Sequence, residues 1–176
     1  MAREDRTKLK RSIRLASGTD AYQLAEIKRA GRNDHDPSED RRALHEELDF
    51  LDRLALPHGD DYFCIVAETD NRVVGYLIGG GSRDLDRKAH GEIYDIAVLP
   101  AFRHRGVARS LLADALVRFD AAAFAGTLLS AAADDDVVRR LVTGLEILPD
   151  GYRDDERSII RYERALPPMG QIRSNP

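Results

Sequence analysis

The residues best placed for chemistry lie in one short run, Pro100-Ala101-Phe102-Arg103-His104-Arg105-Gly106-Val107-Ala108, which joins an apolar strand to an amphipathic helix. The first turn of a helix carries backbone N–H groups with no acceptor inside the helix. A phosphate placed there receives several of them at once, and the helix dipole adds about 0.3–1 kcal/mol. Gly106 lets the backbone approach a ligand closely, and Ala108 is nearly as small. Arg103 and Arg105 bring planar cations whose geometry suits phosphate oxygens. A doubly charged pyrophosphate fits this arrangement. No Lys follows Gly106, so the loop is not a P-loop, nor is it the Gly-x-Gly-x-x-Gly dinucleotide turn. The competing interpretation is a basic, solvated turn between two core elements.

Two carboxylates stand in the strand that feeds this loop. Asp95 lies amid an otherwise apolar run, where an acid is paired, exposed at a bulge, or functional. Glu92 stands at the entry of the strand, and a separation of three positions puts the two on opposite faces if alternation is regular. His90 and His104 flank the strand and the loop and read as polar surface histidines. The five histidines, Cys64 and the carboxylates show no metal-ligand spacing, so no metal is expected.

Hydrophobic periodicity assigns the elements around these residues. Ser12–Ala16 reads as a first strand, and Gly18-Thr19-Asp20 opens a helix with Ala21, Leu24 and Ile27 on one face and Gly31 at its end. Ser38 caps a second helix striped by Leu44, Leu48, Leu51 and Leu54. Phe63–Glu68 and Val73–Ile78, joined by Thr69-Asp70-Asn71-Arg72, predict an antiparallel hairpin. Gly79-Gly80-Gly81 ends the second of these strands, with a polar loop from Ser82 to His90. Glu92–Leu99 is apolar enough for burial on both faces. A helix from Val107 to about Ala123 carries Leu111, Leu112, Ala115, Leu116 and Phe119 inward. A strand at Thr127–Ala131, a helix from Asp135 to about Thr143, and a strand pair within Glu146–Arg164 follow.

With 176 residues, 43% of them hydrophobic, the chain is sized for one core: a single domain over residues 12–165, a charged N-terminal segment 1–11 and a tail 166–176. A net charge of −4 argues against a general nucleic-acid binder despite the abundant Arg. No apolar run reaches the ~18 residues of a membrane span, and Met1-Ala2-Arg3-Glu4-Asp5-Arg6 lacks the apolar core of a signal peptide, so neither a membrane nor export is expected and the location expected is cytoplasmic. Cys64 is alone in an apolar strand and reads as a buried, inert thiol.

Read as Arg103-x-x-Gly106-x-Ala108, the loop resembles the Arg/Gln-x-x-Gly-x-Gly/Ala motif of the GNAT superfamily of N-acetyltransferases, and the order of elements from Ile13 to Arg164 is similar. The resemblance implies an α/β (α+β) GNAT fold, a mixed central sheet of about six or seven strands flanked by about four helices. It implies acetyl-CoA as cosubstrate, its pyrophosphate on the amides of Arg103, His104, Arg105, Gly106, Val107 and Ala108. The pantetheine arm would pair with backbone groups of Ile96, Ala97 and Val98, where the central strand splays from its neighbour. By the same resemblance the acetyl group passes directly to an amine, which must first lose a proton. Glu92 stands where glutamate-base members place that base, and Asp95 is the second candidate.

The chain departs from the family pattern at two places. Arg140 and Gly144-Leu145 occupy the positions of the thiolate-protonating Tyr and its Gly-Phe pair, leaving Tyr94, Tyr152 or no specific donor for that role. Asp134 replaces a CoA-contacting Asn and reads as a helix cap. Asp34, Asp36, Glu39 and Asp40 on one side, and Asp134, Asp135, Asp136, Asp154, Asp155 and Glu156 on the other, border the acceptor cleft that the fold implies. Their convergence would favour a cationic amine, and solvated loops are the alternative. The run Glu92–Val98 is similar to aminoglycoside 3-N-acetyltransferases; polyamines and peptide amines are the other acceptors considered. A non-catalytic acetyl-CoA sensor is the reading from another class. Exposed strand edges near the C-terminus are compatible with a homodimer.

Overall fold

Runs of β-branched and aromatic residues alternate with helical stripes along the chain, and the computed structural model, which describes residues 11–31, 62–83, 89–124, 126–132, 136–143, 145, 147–154 and 159–165, turns each such run into an element. The strands are β1 (Arg11–Leu15), β2 (Tyr62–Thr69), β3 (Arg72–Arg83), β4 (Ala89–Val98), β5 (Gly126–Ala132), β6 (Leu148–Asp154) and β7 (Ile159–Ala165). The helices among the described residues are α1 (Ala21–Gly31), α2 (Val107–Ala121) and α3 (Asp136–Val142), with 3-10 turns at Gly18–Asp20 and Pro100–Phe102. The sheet order is β1-β2-β3-β4-β5-β7-β6. The β4–β5 pair is parallel and β1–β2, β5–β7 and β6–β7 are antiparallel, which makes the sheet mixed. The second helix expected from Ser38 lies outside the described residues.

The chain divides into two compact units, the first holding β1, α1, Cys64–Leu77 and Ile96–Leu111, the second Ile78–Asp95 and the chain from Leu112 onward. In the first, β1 pairs with β2 from Arg11↔Thr69 to Leu15↔Ile65. Arg14 reaches from β1 to Asp20 (2.7 Å) and to Glu68 (2.8 Å). Asp20 also accepts the Ser17 backbone N–H at 2.8 Å, which closes the turn before α1. Helix α1 buries Leu24, Ala25 and Ile27. Asp70 and Asn71 both take positive φ (51° and 61°), the backbone of a type I′ two-residue hairpin between β2 and β3. Cys64 is buried in β2.

In the second unit, α2 turns Leu112, Ala115, Leu116 and Phe119 inward. Phe119 packs at 5.4 Å from Phe63 and 5.8 Å from Phe124 between ring centroids. A Cβ on Gly91 would overlap the Phe119 ring, and one on Gly79 would stand 3.1 Å from both Phe119 and Phe63. This packing explains why β3 does not stop at Gly79-Gly80-Gly81, as expected, but runs to Arg83. The glycine is there for close approach of a ring, not for a turn. β4 begins accordingly earlier, at Ala89, and His90 is buried rather than at the surface.

The Arg14 hydrogen bonds hold the Asp20 carboxyl below the usual carboxylate range, against the opposing effect of burial. A carboxylate with a lowered folded-state pKa contributes its stability in full above the unfolded value of about 4 and loses it as pH falls through the folded value. Asp20→Asn is therefore expected to be less stable than the native chain at neutral pH, with the gap closing in acid. Urea midpoints at pH 7 and pH 3 check this, and a gap of equal size at both would contradict it.

Candidate active site

The loop from Leu99 to Gly106 is shaped by a few backbone bonds. Phe102 N–H donates to Leu99 O (2.8 Å) and Arg103 N–H to Pro100 O (3.2 Å), which forms the 3-10 turn. His104 (φ 59°) and Gly106 (φ 77°) then take left-handed conformations and swing the chain into α2. Ser110 N–H is the first to bond back, to Gly106 O at 3.0 Å, and the Ser110 hydroxyl donates to the same carbonyl at 3.1 Å. The amides of Val107, Ala108 and Arg109 therefore begin the helix without intrahelical acceptors.

The side chains around these amides are cationic. Helix α2 has no acid in its first turn. Arg105 and Arg109 are exposed, and Arg105 lies 5.7 Å over the Phe102 ring. Arg103 turns its Nε to Val98 O at 3.2 Å and so braces the end of β4. Among the described residues, none of these three guanidiniums is in an ion pair. Val107 is 2% exposed and faces the core, where a Cβ on Gly75 would meet it at 3.1 Å, so only its amide is available to a ligand. Free helix-start amides beside cations that have no carboxylate partner among the described residues are groups from which an anion site can be built.

Sequence reasoning missed one member of this cluster. Arg11, assigned to the N-terminal segment, is the first residue of β1 and donates from Nη2 to Arg105 O (2.8 Å) and from Nη1 to Ser110 Oγ (3.1 Å). A separation of 94 to 99 positions leaves no local signal for such a contact.

β4 is not buried on both faces as its composition suggests. It pairs with β5 only over Gly91↔Thr127, Glu92↔Leu128 and Ile93↔Leu129, although both strands continue. Past that point Asp95, Ile96 and Ala97 are half-exposed. The ladder with β5 does not extend to these three residues. Glu92 is half-buried and, among the described residues, its carboxylate is held by no partner, whereas Asp95 is engaged. Tyr94, two positions on, is 43% exposed, stacks on Tyr62 at 6.1 Å and donates its hydroxyl to Gly81 O at 3.3 Å. Alternation places Glu92 and Tyr94 on one face of the strand. Arg140 is exposed on α3. The side chains of Tyr152 and Asp154, and residues Asp34, Asp36, Glu39, Asp40, Asp134, Asp135, Asp155 and Glu156, lie outside the description.

Among the described residues no group of three His, Cys, Asp or Glu is placed to hold a metal, and no helix is long and apolar enough to cross a membrane. The family model for the Acetyltransferase (GNAT) family matches residues 22–141. Among curated proteins none matches the chain in sequence. The chain is similar to the PaiA N-acetyltransferase of Thermoplasma acidophilum, solved in complex with coenzyme A, with a TM-score of 0.72 and 15% identity over 89% of this chain and 99% of that one. It is also similar to the ribosomal-protein-S18-alanine N-acetyltransferase of Escherichia coli (TM-score 0.65, 16% identity, 93% and 98% covered). A third likeness is to yncA of Salmonella typhimurium, solved with its cofactor acetyl-CoA (TM-score 0.61, 19% identity, 91% and 96% covered). At such identities the likeness shows the fold, and this fold is the one expected.

The loop conformation is testable apart from any ligand. A Cβ on Gly106 meets only Arg11 Nη1, at 3.9 Å, so Gly106→Ala is strained by its φ of 77° alone and is expected to lower stability by about 1 kcal/mol. His104→Gly is expected to raise it, by up to about 1 kcal/mol. Thermal midpoints of the two variants should move in opposite directions.

Proposed function

Because the chain belongs to the GNAT acetyltransferase family, we propose that it is an acetyl-CoA-dependent N-acetyltransferase that moves an acetyl group directly from the thioester to a primary amine. The observation that carries this reading is the cationic, acid-free start of α2, entered through two left-handed residues from the strand that bears Glu92. The amides of Arg103–Ala108 would receive the pyrophosphate of the cosubstrate. The backbone of Ile96–Val98, beyond the end of the β4–β5 ladder, would take the pantetheine arm. That two of the similar structures were solved with coenzyme A or acetyl-CoA supports the choice of ligand.

The thioester supplies an acyl carbon open to attack by an amine. Glu92 is the base in this reading: its carboxylate is half-exposed and, among the described residues, held by no partner, as suits a group that takes a proton from an arriving ammonium, directly or through water. Asp95 is the weaker candidate because it already has a partner. Tyr94 stands on the same strand, and its hydroxyl would have to exchange its bond to Gly81 O for one to the departing thiolate to act in place of the Tyr that Arg140 replaces. The acceptor is a cationic small molecule or peptide amine. The likeness of Glu92–Val98 to aminoglycoside 3-N-acetyltransferases puts aminoglycosides first among amines to test. The need for acetyl-CoA accords with a cytoplasmic location.

Exposed Arg140 in the Tyr position favours a second reading, a domain that binds acetyl-CoA without turning it over. Two variants separate the possibilities. Gly106→Glu, which sets bulk and negative charge at the amides, is expected to abolish calorimetric binding of acetyl-CoA. Wild-type affinity in that variant would sink the loop assignment. Glu92→Gln is expected to keep that affinity and lower thiol release in the presence of amines by about 10²- to 10⁴-fold. Turnover unaffected by the change would remove Glu92 from the mechanism. Binding with no turnover of aminoglycosides, polyamines or peptides would favour the sensor.

A further inference from the structure

Arg11 reaches the loop from a distant part of the sequence and grips it on both sides of the left-handed Gly106. Nη2 donates to Arg105 O at 2.8 Å, before Gly106, and Nη1 donates to Ser110 Oγ at 3.1 Å, after it. Ser110 in turn donates to Gly106 O at 3.1 Å, so the carbonyl and the hydroxyl that flank the left-handed Gly106 are fixed by one planar group. A guanidinium can span two acceptors with divergent N–H bonds, whereas a Lys ammonium presents a point charge. The contact also adds a cation to a helix start that already carries Arg103, Arg105 and Arg109, and no carboxylate among the described residues pairs with Arg11. Bringing like charges together costs free energy in the empty state, and a bound anion offsets that cost by its attraction to each cation.

We propose that Arg11 is a positioning residue for the diphosphate of the cosubstrate: it locks the loop amides in their receiving conformation through Arg105 O and Ser110. This rests on the assignment of Arg103–Ala108 as the acetyl-CoA loop and deepens it by naming a strand residue on which the affinity of the loop depends. Arg11 acts through the loop and touches no reacting atom.

The test is a calorimetric titration of the full chain and its Arg11→Gln and Arg11→Lys variants with two ligands, acetyl-CoA and S-acetylpantetheine, which carries the thioester arm without the diphosphate. Thermal midpoints without ligand are taken alongside. Arg11→Gln is expected to weaken acetyl-CoA by about tenfold or more, the effect of losing charge-assisted hydrogen bonds, and to leave S-acetylpantetheine unchanged. Arg11→Lys keeps the charge but not the fork and is expected to remain weakened. Full recovery with Lys would assign the effect to charge alone and overturn the positioning role. Equal losses for both ligands would mark general damage to the fold and overturn it too, as would unchanged acetyl-CoA affinity in Arg11→Gln. If the thermal midpoint of Arg11→Gln collapses, Ser110→Ala decides: it removes one of the two acceptors, and its acetyl-CoA affinity must fall by about threefold with S-acetylpantetheine unaffected. A wild-type chain that binds neither ligand would overturn the acetyl-CoA assignment itself, which is a result distinct from a variant that binds like the wild type.

Discussion

The organisation of this protein depends on a central strand that keeps a hydrogen-bonded neighbour on one side and loses it on the other. β4 stands between β3 and β5 in the sheet order, yet its ladder with β5 covers only Gly91 to Ile93. Every backbone N–H and C=O must find a partner in protein, water or ligand. A strand with pairing on both sides has no capacity left for a ligand, and a strand at the edge of a sheet lacks a rigid frame. β4 lies between these cases, its first part paired with β5 over Gly91 to Ile93 and the rest of the strand outside that ladder. The half-exposure of Asp95, Ile96 and Ala97 in a strand of such apolar composition is the visible mark of that compromise.

Small residues let the helix after β4 press closely on the strands at both ends of its length. Near its start, Gly75 makes room for Val107 and for the Ala97 carbonyl, each within about 3.1 Å of where a Cβ would stand. Near its end, Gly91 and Gly79 make room for Phe119. A helix seated in this way cannot rotate without creating overlap, because interiors are close-packed. The direction of its first N–H groups is therefore set by packing, while the loop before it supplies the charge. The Val107 side chain thus belongs to the core, while its amide, at the start of the helix, has no intrahelical acceptor.

Features that depend on neighbours in sequence were legible, and those that depend on distant contacts were not. The place of the loop between strand and helix, the helix stripe of Leu111, Leu112, Ala115, Leu116 and Phe119, and the hairpin at Asp70-Asn71 all follow from local periodicity and turn chemistry, and the structure has all three. The run Gly79-Gly80-Gly81 was misread because a glycine signals a turn and a close approach with the same letter; only the position of Phe119, 40 residues on, separates the two. His90 looked like a surface residue for its polarity, and the strand that buries it begins earlier than its apolar core announces. The end of the β4–β5 ladder is a property of two strands and leaves no trace in either. Glu92 and Asp95 could be named from the sequence, but their difference in engagement could not.

β1 shows how an electrostatic tie can replace an apolar one. Its sequence, Arg-Ser-Ile-Arg-Leu, offers two aliphatic side chains, of which Leu15 is 43% exposed and Ile13 is only half-buried. Burial of that size contributes little, at about 25 cal/mol per Å². The strand has a neighbour on one side only, in its ladder with β2. What secures its side chains are the two arginines: Arg14 to Asp20 and Glu68 at the start of α1 and on β2, and Arg11 to Arg105 O and Ser110 at the loop. The two ties differ in kind. Arg14 is matched by two carboxylates, one of them buried, so its charge is compensated inside the protein. Arg11 is bound to a carbonyl and a hydroxyl, which orient a cation without neutralising it. A chain with a net charge of −4 thus meets Arg14 with carboxylates, whereas at one helix start Arg11, Arg103, Arg105 and Arg109 are in no ion pair among the described residues. Such a local imbalance, rather than the charge of the whole molecule, is what would favour an anion there.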